Sequence, residues 1–496
     1  MTQPALIPWP ASARFEDSHW LLPPAVGVDA PPRFQSETAL LCSDLAAVCG
    51  LEARPAVSNP DICLSQTARG GHPESHSIEI TPAGVTIEAD TPAGIYRATR
   101  TLLQWLGSAT DRHVICGHVR DSPRCDWRGL MLDVSRHFFT VAEVRSFIDQ
   151  AALHKYNTFH WHLTDDQGWR FPVAKYPLLT EIGGWRDETL IGHLRHRPLR
   201  FDGKRHGGAY TPADIREIVA YAAARHITVL PEIDMPGHMQ AAVTAYPELG
   251  SGFVPGVRCH WGISQNILHP GETAMRFIRD VLEEVMDAFP APFIHTGGDE
   301  AENHEWGESR AVQRFMHNHR VPDEKALQCW FTREVAGFLR QHGRRMIGWD
   351  EVYEMAGQSG AAIPEDVVVM NWRDTRHGVG AANRGHDVIL APMDFTYFNF
   401  YQGDPATEPD AIGGMLPLEK VYAFRPALDG LEGEAPARVL GAQAQLWTEY
   451  IPTFENLMYM TWPRAAALAE VLWTPPEQHS WDRFQSHLEQ RRSPGK

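Results

Sequence analysis

The chain has 496 residues and a formal net charge of −17, from 45 Lys and Arg against 62 Asp and Glu. A hydrophobic fraction of 43% with 10% aromatic residues indicates a folded globular protein and excludes disorder as the general state. The acidic balance argues against a broad nucleic-acid surface, because phosphate contacts need clustered Lys and Arg. The 16 tryptophans either fill the core or line a pocket for a ligand with flat apolar faces.

The first residues and the cysteines bear on the compartment. The N-terminal stretch has no basic segment followed by an apolar run, so no secretory signal is visible, and no stretch has the roughly 18 apolar residues of a membrane span. The seven cysteines form no C-x-x-C pair, which argues against a zinc knuckle or a disulfide framework. We expect a cytoplasmic protein without membrane or nucleic-acid partners, or a periplasmic or secreted one if a signal has been removed. No pattern predicts an oligomeric state.

Residues 1–122 predict a small α+β domain. In 77–89, apolar residues alternate around a Pro-Ala-Gly turn, which is typical of a β-hairpin. After Thr91 the apolar residues change to the spacing of one helix face. The turn-rich segment 121–124 then predicts a boundary, which places the second domain at 123–496.

From about residue 126 onward, the sequence repeats a unit of short apolar strand, polar tip, loop and amphipathic helix. The predicted strands are Gly129–Val134, Thr158–Leu163, Ile227–Ile233, Pro292–Thr296, Arg345–Trp349, Val367–Asn371, Val388–Ala391 and Val439–Leu446. The clearest helices are Val141–His154, Ala213–Arg225, Glu272–Ala288 and Lys325–His342. About eight such units in roughly 350 residues predict a (β/α)8 TIM barrel. The alternative, an open doubly wound sheet, lacks a G-x-G-x-x-G motif after any strand.

In such a barrel, catalytic groups lie at or just after the carboxyl ends of the strands. The residues at the predicted ends are Asp133, Arg136, His162, Asp165, Asp166, Glu232, Asp234, His238, Asp299, Glu300, Trp349, Asp350, Trp372, Asp374, Trp447 and Glu449. Carboxylates and tryptophans dominate this set, and Lys is absent from it. Because sugar rings stack on indoles while their hydroxyls bond carboxylates and Arg, the set favours a neutral polyhydroxylated substrate.

The segment His295–Glu300 follows the fourth predicted strand. Its two glycines permit a tight turn, so that Asp299 and Glu300 can project into a site. An Asp-Glu pair is more often a solvated loop, but at a barrel mouth the functional interpretation is favoured. Two carboxyl groups held close together raise one pKa, which produces a protonated general acid at neutral pH.

The histidines near the predicted strand ends leave alternatives open. His160 and His162 lie on one face of a strand and could form a metal pair, so a metal-dependent barrel hydrolase is an alternative from a different class. Structural histidines are the simpler interpretation of this pair. His238 follows Pro-Gly on a rigid loop, which would suit it to orient a nearby carboxylic acid, although a lone histidine there is more often structural.

A set of motifs carries a resemblance to a known family. The motifs are RGLMLDVSRH at 128–137, HLTDDQGWR at 162–170, PEIDMPGH at 231–238, HTGGDE at 295–300, GWDE at 348–351, NWRD at 371–374, TYF at 396–398 and QLWTE at 445–449. In this order, they resemble family 20 glycoside hydrolases, the β-N-acetylhexosaminidases, and the 77–106 segment resembles the small domain preceding the barrel in that family. The resemblance implies an exo-acting, retaining hydrolase of terminal N-acetyl-β-glucosamine or galactosamine, with a small glycan as partner and no cofactor or metal.

The resemblance also implies a mechanism in which the substrate's own acetamido carbonyl attacks the anomeric carbon and forms an oxazolinium intermediate. Glu300 would protonate the leaving oxygen and then activate water as general base. Asp299 would accept the acetamido N–H, and Tyr397 would donate to the acetamido oxygen. Asp165 and His238 would position and tune the acid.

The substrate-binding residues that the resemblance implies form two groups. Trp349, Trp372 and Trp447 would wall the acetamido pocket, with core packing as the alternative. Arg128 and Glu449 would bind the ring hydroxyls, with a structural salt bridge as the alternative for the arginine.

One position departs from the family pattern. Many members have Asp two residues after the acetamido-binding tyrosine, but this chain has Asn399. A neutral amide removes an anion's repulsion and adds a donor, so tolerance of a charged or substituted O6 is a hypothesis. Lacto-N-biosidases share much of the motif set, so release of a disaccharide is a second alternative. A silent sugar-binding barrel is disfavoured because the acid, its partner and the tyrosine are all present.

Overall fold

The computed structural model describes residues 3–492 apart from Val57 and Thr110. One hydrophobic core lies within an N-terminal unit of sheet and helices, and a larger one surrounds a closed barrel. Within the described residues, no helix has the length and apolar character that crossing a membrane requires.

The N-terminal unit is a mixed sheet with two helices. Its strands are β1 (Ser12–Leu21), β2 (Ala25–Asp29), β3 (Glu52–Pro55), β4 (Ile62–Gln66), β5 (His76–Thr81), β6 (Gly84–Ala89) and β7 (His113–Asp121), and its helices are α1 (Gln35–Cys49) and α2 (Pro92–Leu106). The strand order is β1-β7-β5-β6-β4-β2-β3. β5 and β6 pair antiparallel, which confirms the predicted hairpin.

Helix α2 lies between this sheet and the barrel. It begins where the Thr91 hydroxyl accepts the Gly94 N–H, with Pro92 in the first turn, a position that needs no backbone donor. Ile95 packs in the core of the sheet, whereas Tyr96 packs in the core of the barrel. The helix predicted after Thr91 is therefore confirmed, and its two apolar sides join the two units.

Eight parallel strands close the barrel, as the sequence predicts. In spatial order they are β8 (Trp127–Asp133), β9 (Thr158–His162), β14 (Thr228–Glu232), β15 (Phe293–His295), β16 (Arg345–Trp349), β17 (Val368–Asn371), β18 (Val388–Leu390) and β19 (Val439–Ala444). Two small hairpins lie in the loops, formed by β10 (Thr164–Asp165) with β11 (Gly168–Trp169) and by β12 (Trp185–Arg186) with β13 (His206–Gly207). The predicted strands agree with the barrel strands to within two residues at either end.

Helices surround the barrel and follow most of its strands. They are α3 (Val141–Leu153), α4 (Leu178–Glu181), α5 (Pro212–Ala223), α6 (Gln240–Ala245), α7 (Glu272–Ala288), α8 (His304–Glu308), α9 (Arg310–His319), α10 (Glu324–Gln341), α11 (Glu351–Ser359), α12 (Thr375–Asn383), α13 (Met393–Thr396), α14 (Leu418–Tyr422), α15 (Phe454–Thr461), α16 (Arg464–Trp473) and α17 (Trp481–Arg492). Threonine capping boxes begin α3 and α5, which fixes where the chain leaves each loop. The four predicted helices are confirmed.

The two units meet at the amino ends of the barrel strands through buried ion pairs. The Arg128 guanidinium on β8 donates from Nη2 to both oxygens of Glu74 at 2.7 Å, and Arg97 on α2 donates to the same carboxylate at 2.5 Å. Lys155 contacts Asp121 at 2.7 Å nearby. The predicted domain boundary at residue 122 falls between β7 and β8 and stays a prediction.

Candidate active site

The carboxyl ends of the barrel strands surround a pocket of about 310 Å³. It brings together the predicted residues Asp165, His238, Asp299, Glu300, Trp349, Trp372, Tyr397, Asn399, Trp447 and Glu449. Of the residues proposed from the sequence for catalysis or substrate binding, only Arg128 lies elsewhere. The residues that the sequence proposes, apart from Arg128, thus line one pocket, and their roles there stay predictions.

The loop after β15 delivers the two adjacent carboxylates. Gly297 and Gly298 have φ angles of +65° and +96°, in the region that favours glycine. A Cβ on Gly297 would lie 1.6 Å from the Asp234 carboxylate, so no side chain fits there. Glu300 itself has φ of +45°, an uncommon value for a residue with a side chain. The predicted tight turn is thus present, and it leaves Asp299 buried and the Glu300 side chain 34% exposed.

The Asp299 carboxyl group has a raised pKa. Burial raises its pKa to about 6, with Glu300 and Glu232 adding to the increase and His238 opposing it. Among the described residues, its Oδ1 atom has no hydrogen-bond partner. A buried, unpartnered acceptor in a pocket is suited to receive a donor from a ligand.

His238 lies between the Asp299–Glu300 pair and a further carboxylate, Asp165. Its Nε2 lies 3.5 Å from Glu300 Oε2 and 3.6 Å from Asp299 Oδ2, and its Nδ1 lies 3.1 Å from Asp165 Oδ1. Burial would lower the pKa of His238, but the carboxylates of Asp165 and Asp299 outweigh it and hold that pKa well above its usual range. Arg136 contacts the other oxygen of Asp165 at 2.8 Å. A cationic imidazole therefore faces both carboxylates of the pair.

Aromatic rings form the walls of the pocket. The Trp372 and Tyr397 rings stack with centroids 5.9 Å apart and an interplanar angle of 18°. Trp349 and Trp447 meet at 5.9 Å and 45°. The Trp349 indole N–H donates to Glu232 at 3.0 Å, and the Trp372 N–H donates to Glu351 at 2.9 Å. These bonds fix two of the three tryptophans in place. Burial raises the pKa of Tyr397 well above its usual value, so its hydroxyl keeps its proton.

Polar groups line another part of the pocket. Within the described part of the chain, Glu449 Oε2 and Asn399 Oδ1 are buried atoms without a hydrogen-bond partner. The Arg136 guanidinium lies 5.1 Å from the Trp447 ring centre, and Arg195 also lines the pocket. Burial raises the pKa of Glu449, while Arg136 opposes the increase. These groups offer both acceptors and donors to a hydroxylated ligand.

The prediction that Arg128 binds substrate is wrong. β8 begins at Trp127, so Arg128 lies at the amino end of the strand, opposite the pocket, where it is buried against Glu74. Arg136, eight residues later in the same motif, follows the carboxyl end and lines the pocket. The rule that sites follow the carboxyl ends of strands already places Arg136 among the strand-end residues of the sequence, but the substrate role was given to Arg128 instead.

Other lining residues carried no signal in the sequence. They are Arg195, Met393, Phe400, Ile412, Gly413 and Gly414. All of them lie in or beside irregular loops, whose courses periodicity does not predict.

The paired histidines are engaged in side-chain contacts. His162 lies between Glu232, 2.5 Å from its Nδ1, and Asp165, 2.9 Å from its Nε2. Gln443 lies 2.8 Å from His160 Nδ1, and Glu232 lies 3.0 Å from its Nε2. Two ligands on one tetrahedral zinc ion stand about 3.3 Å apart, given bonds of about 2.0–2.1 Å, so the closest of these separations are those of hydrogen bonds. The contacts favour the structural interpretation of His160 and His162.

The fold and the site define a class of protein, a (β/α)8 barrel with adjacent carboxylates and a histidine in an aromatic pocket. Residues 125–476 match the model of the glycosyl hydrolase family 20 catalytic domain, and residues 3–122 match the model of domain 2 of the same family. The chain belongs to glycosyl hydrolase family 20, which confirms the resemblance drawn from the motifs.

Relatives and solved structures agree with this membership. The chain is 40% identical over 415 residues to a β-hexosaminidase of Porphyromonas gingivalis, covering 81% of this chain and 51% of that protein. It is 33% identical over 430 residues to a β-hexosaminidase of Akkermansia muciniphila, covering 84% and 83%. The crystal structure of an exo-β-N-acetylglucosaminidase from Vibrio harveyi in complex with N-acetylglucosamine has a TM-score of 0.87 at 32% identity, covering 99% of this chain and 79% of that one. The alignment with the Porphyromonas gingivalis relative thus spans about half of that protein's length.

Proposed function

We propose that the chain is an exo-acting, retaining β-N-acetylhexosaminidase, which removes terminal N-acetyl-β-D-glucosamine and N-acetyl-β-D-galactosamine residues with help from the substrate's own acetamido group. The names of the relatives support this substrate class, as does the N-acetylglucosamine held by the Vibrio harveyi protein. A pocket of about 310 Å³ is at the small end of ligand sites, which supports one terminal sugar over an extended chain.

The observation that carries the proposal is the position of the two carboxylates. Asp299 and Glu300 approach the pocket from one side, because both lie within 3.6 Å of the same His238 nitrogen. Retaining glycosidases with a protein nucleophile hold two carboxyl groups about 5–5.5 Å apart on either side of the scissile bond. The adjacent pair is not placed to flank a bond in this way. This arrangement agrees with the mechanism that membership of family 20 implies, in which the nucleophile is the carbonyl oxygen of the substrate's 2-acetamido group.

In the first step, Glu300 gives its proton to the leaving oxygen while the acetamido oxygen attacks the anomeric carbon. The Asp299 carboxylate accepts the acetamido N–H and stabilises the positive charge of the oxazolinium ring. The Tyr397 hydroxyl donates to the acetamido oxygen. In the second step, Glu300 takes a proton from water as the water oxygen attacks the anomeric carbon, and the bond from this carbon to the acetamido oxygen breaks to restore the acetamido carbonyl. Two inversions at this carbon give net retention.

The remaining residues hold the sugar. Trp349, Trp372 and Trp447 enclose the acetamido group in its reactive bend, which removes an entropic barrier to the attack. Arg136, in place of Arg128, binds ring hydroxyls together with Glu449. His238 and Asp165 position the acid.

A hydrolysis panel tests the substrate class and separates the first alternative. Aryl β-glycosides of N-acetylglucosamine, N-acetylgalactosamine and lacto-N-biose are compared by kcat/KM. We expect turnover of the two monosaccharide substrates and none of lacto-N-biose. Release of the intact disaccharide would replace the proposal with the lacto-N-biosidase alternative, and binding without hydrolysis would indicate a silent sugar-binding barrel.

The metal-dependent alternative makes a separate prediction. Because Glu232 and Asp165 bond both nitrogens of His162, and Gln443 bonds Nδ1 of His160, we expect dialysis against a chelator to leave kcat/KM unchanged. Loss of activity that zinc restores would favour the alternative.

The cytoplasmic location, the absence of nucleic-acid and membrane partners, the unassigned oligomeric state and the domain boundary at residue 122 stay predictions. Cell fractionation tests the first, and limited proteolysis near 122–125 tests the last.

A further inference from the structure

A buried carboxylate beneath the pocket has no role in the reaction as described. Glu232 is the last residue of β14 and is 0% exposed. Its surroundings are His162 Nδ1 at 2.5 Å, His295 Nδ1 at 2.8 Å, His160 Nε2 at 3.0 Å and Trp349 Nε1 at 3.0 Å. A buried carboxylate is strongly unfavourable unless donors surround it, so this position is built around the charge.

One oxygen of Glu232 is connected to the proposed general acid, Glu300, by a chain of side-chain contacts. His162 lies 2.5 Å from Oε2 and 2.9 Å from Asp165 Oδ2 with its other nitrogen. Asp165 in turn contacts His238, which lies 3.5 Å from Glu300. Burial would lower the pKa of His162, but Glu232 outweighs it and holds that pKa well above its usual range. Burial would raise the pKa of Asp165, but Arg136, His238 and the bond to His162 outweigh it and hold that pKa well below its usual range.

The other oxygen of Glu232 faces the acetamido pocket. Oε1 accepts the indole N–H of Trp349 at 3.0 Å, and His295 approaches the same oxygen at 2.8 Å. This is the bond that sets the rotation of the Trp349 ring in the pocket wall. Oε2 therefore contacts the residues that lead to Glu300, and Oε1 holds the Trp349 ring in the pocket wall.

We propose that Glu232 is a positioning residue that fixes both halves of the reaction, the acid Glu300 through His162 and the acetamido-binding wall through Trp349. This inference rests on the proposed function. Glu232 contacts no substrate, and its effect reaches the reacting atoms through the side chains that it orients. His162 lies on the path to the acid and makes no bond to Trp349, although its ring packs edge-on against Trp447 with centroids 4.9 Å apart.

The two branches are separable with two probes. The ratio of kcat/KM for dinitrophenyl and phenyl N-acetyl-β-glucosaminides reports on the acid, because a dinitrophenolate leaves with little need of a proton. The inhibition constant of a thiazoline mimic of the oxazolinium ring reports on the acetamido pocket. Both are measured for Glu232→Gln and His162→Gln, together with the midpoint of thermal unfolding.

We expect His162→Gln to lose about 100-fold on the phenyl substrate but less than about fivefold on the dinitrophenyl substrate. Its thiazoline inhibition should change less than that of Glu232→Gln, because the Trp349 bond to Glu232 is intact in this variant. Glu232→Gln should show the same change in the substrate ratio and, in addition, about tenfold weaker thiazoline inhibition. The second effect follows because an amide in place of the carboxylate weakens the bond to the Trp349 N–H.

Glu470→Gln is the matched control. Glu470 is 1% exposed and accepts bonds from Tyr422 and the Trp9 backbone, in a part of the chain that the pocket does not include. It should change thermal stability while leaving both probes unchanged.

A Glu232→Gln enzyme that unfolds at a lower temperature but keeps the normal substrate ratio and inhibition would overturn the proposal and leave Glu232 a structural residue. If Glu232→Gln does not fold, the His162→Gln variant provides the test. A normal ratio of kcat/KM for the two substrates in that variant would show that His162 does not act on Glu300 and would overturn the proposal. These failures differ from a failure of the proposed function, in which the unaltered protein hydrolyses neither substrate.

Discussion

The two ends of the barrel differ in how many partners their buried carboxyl groups have. At the amino end, the carboxylate of Glu74 is surrounded by Arg97 and Arg128, which outweigh the effect of burial and lower its pKa to about 2. At the carboxyl end, burial raises the pKa of Asp299 to about 6, and its Oδ1 has no partner among the described residues. Both are buried acids, Glu74 beside two arginines and Asp299 beside His238 and the Glu300 carboxyl group. Glu74 has partners for its charge and holds the two units together. Asp299 lacks a partner at Oδ1, which marks it as a place where a ligand supplies the missing hydrogen bond.

The largest expected effect comes from the acid at the carboxyl end. Glu300→Gln removes the proton donor but keeps the shape of the side chain, so kcat/KM for a phenyl N-acetyl-β-glucosaminide should fall by about 1,000-fold or more. Binding of N-acetylglucosamine, measured by calorimetry, should persist. Near-normal turnover by this variant would be fatal to the role of Glu300.

The two arginines of one motif sharpen the comparison between the ends. Arg136→Met should lower kcat/KM by about 100-fold, because it removes a donor from the substrate site and a partner from Asp165. Arg128→Met should instead lower the free energy of unfolding by about 3 kcal/mol, because it leaves Glu74 short of a partner in a buried position. The folded Arg128 variant should keep its activity within a few fold. Chemical denaturation and steady-state kinetics on both variants check this, and a reversed pattern would restore Arg128 to the site.

The same comparison shows what the sequence could and could not predict. The barrel strands and the turn before Asp299 follow from local patterns, namely apolar runs and two glycines. The Arg128 error arose although the strand direction already assigned Arg136 to the pocket end. The contacts of Glu232 with His162 and Trp349 join residues 70 and 117 positions apart, and periodicity does not predict such pairings. The same holds for Arg195, which only the course of its loop brings to the pocket.

The acids at the two ends should respond to pH in separate ranges. In the proposed mechanism Asp299, which faces His238, Glu300 and Glu232, acts as a carboxylate, and burial raises its pKa to about 6. Activity should therefore fall as the pH decreases through 6, by about tenfold at one unit below. The lowered pKa of Glu74 contributes stability that is complete above its ordinary value of 4.5 and is lost only as the pH falls toward 2.

Profiles of kcat/KM and of the thermal midpoint against pH test this separation. Between pH 6 and 5, activity should decrease while the contribution of Glu74 to stability persists. An activity profile that is flat down to pH 4.5 would contradict the assignment to Asp299.

The smallest expected effect concerns Asn399. Its neutral amide and the cationic Arg195 line the same pocket, so a 6-sulfated N-acetylglucosaminide should be accepted. Asn399→Asp should reduce the ratio of kcat/KM for the 6-sulfated and plain substrates by about tenfold, through repulsion between like charges. The same ratio in both proteins would remove the hypothesis.

The most direct test of the account is inhibition by a thiazoline that mimics the oxazolinium intermediate. If the substrate's acetamido group is the nucleophile, the pocket formed by Asp299, Tyr397 and the three tryptophans is complementary to this ring, and the thiazoline should bind at least about 100-fold more tightly than N-acetylglucosamine. A thiazoline that binds no better than the product would contradict substrate assistance and require a nucleophile from the protein.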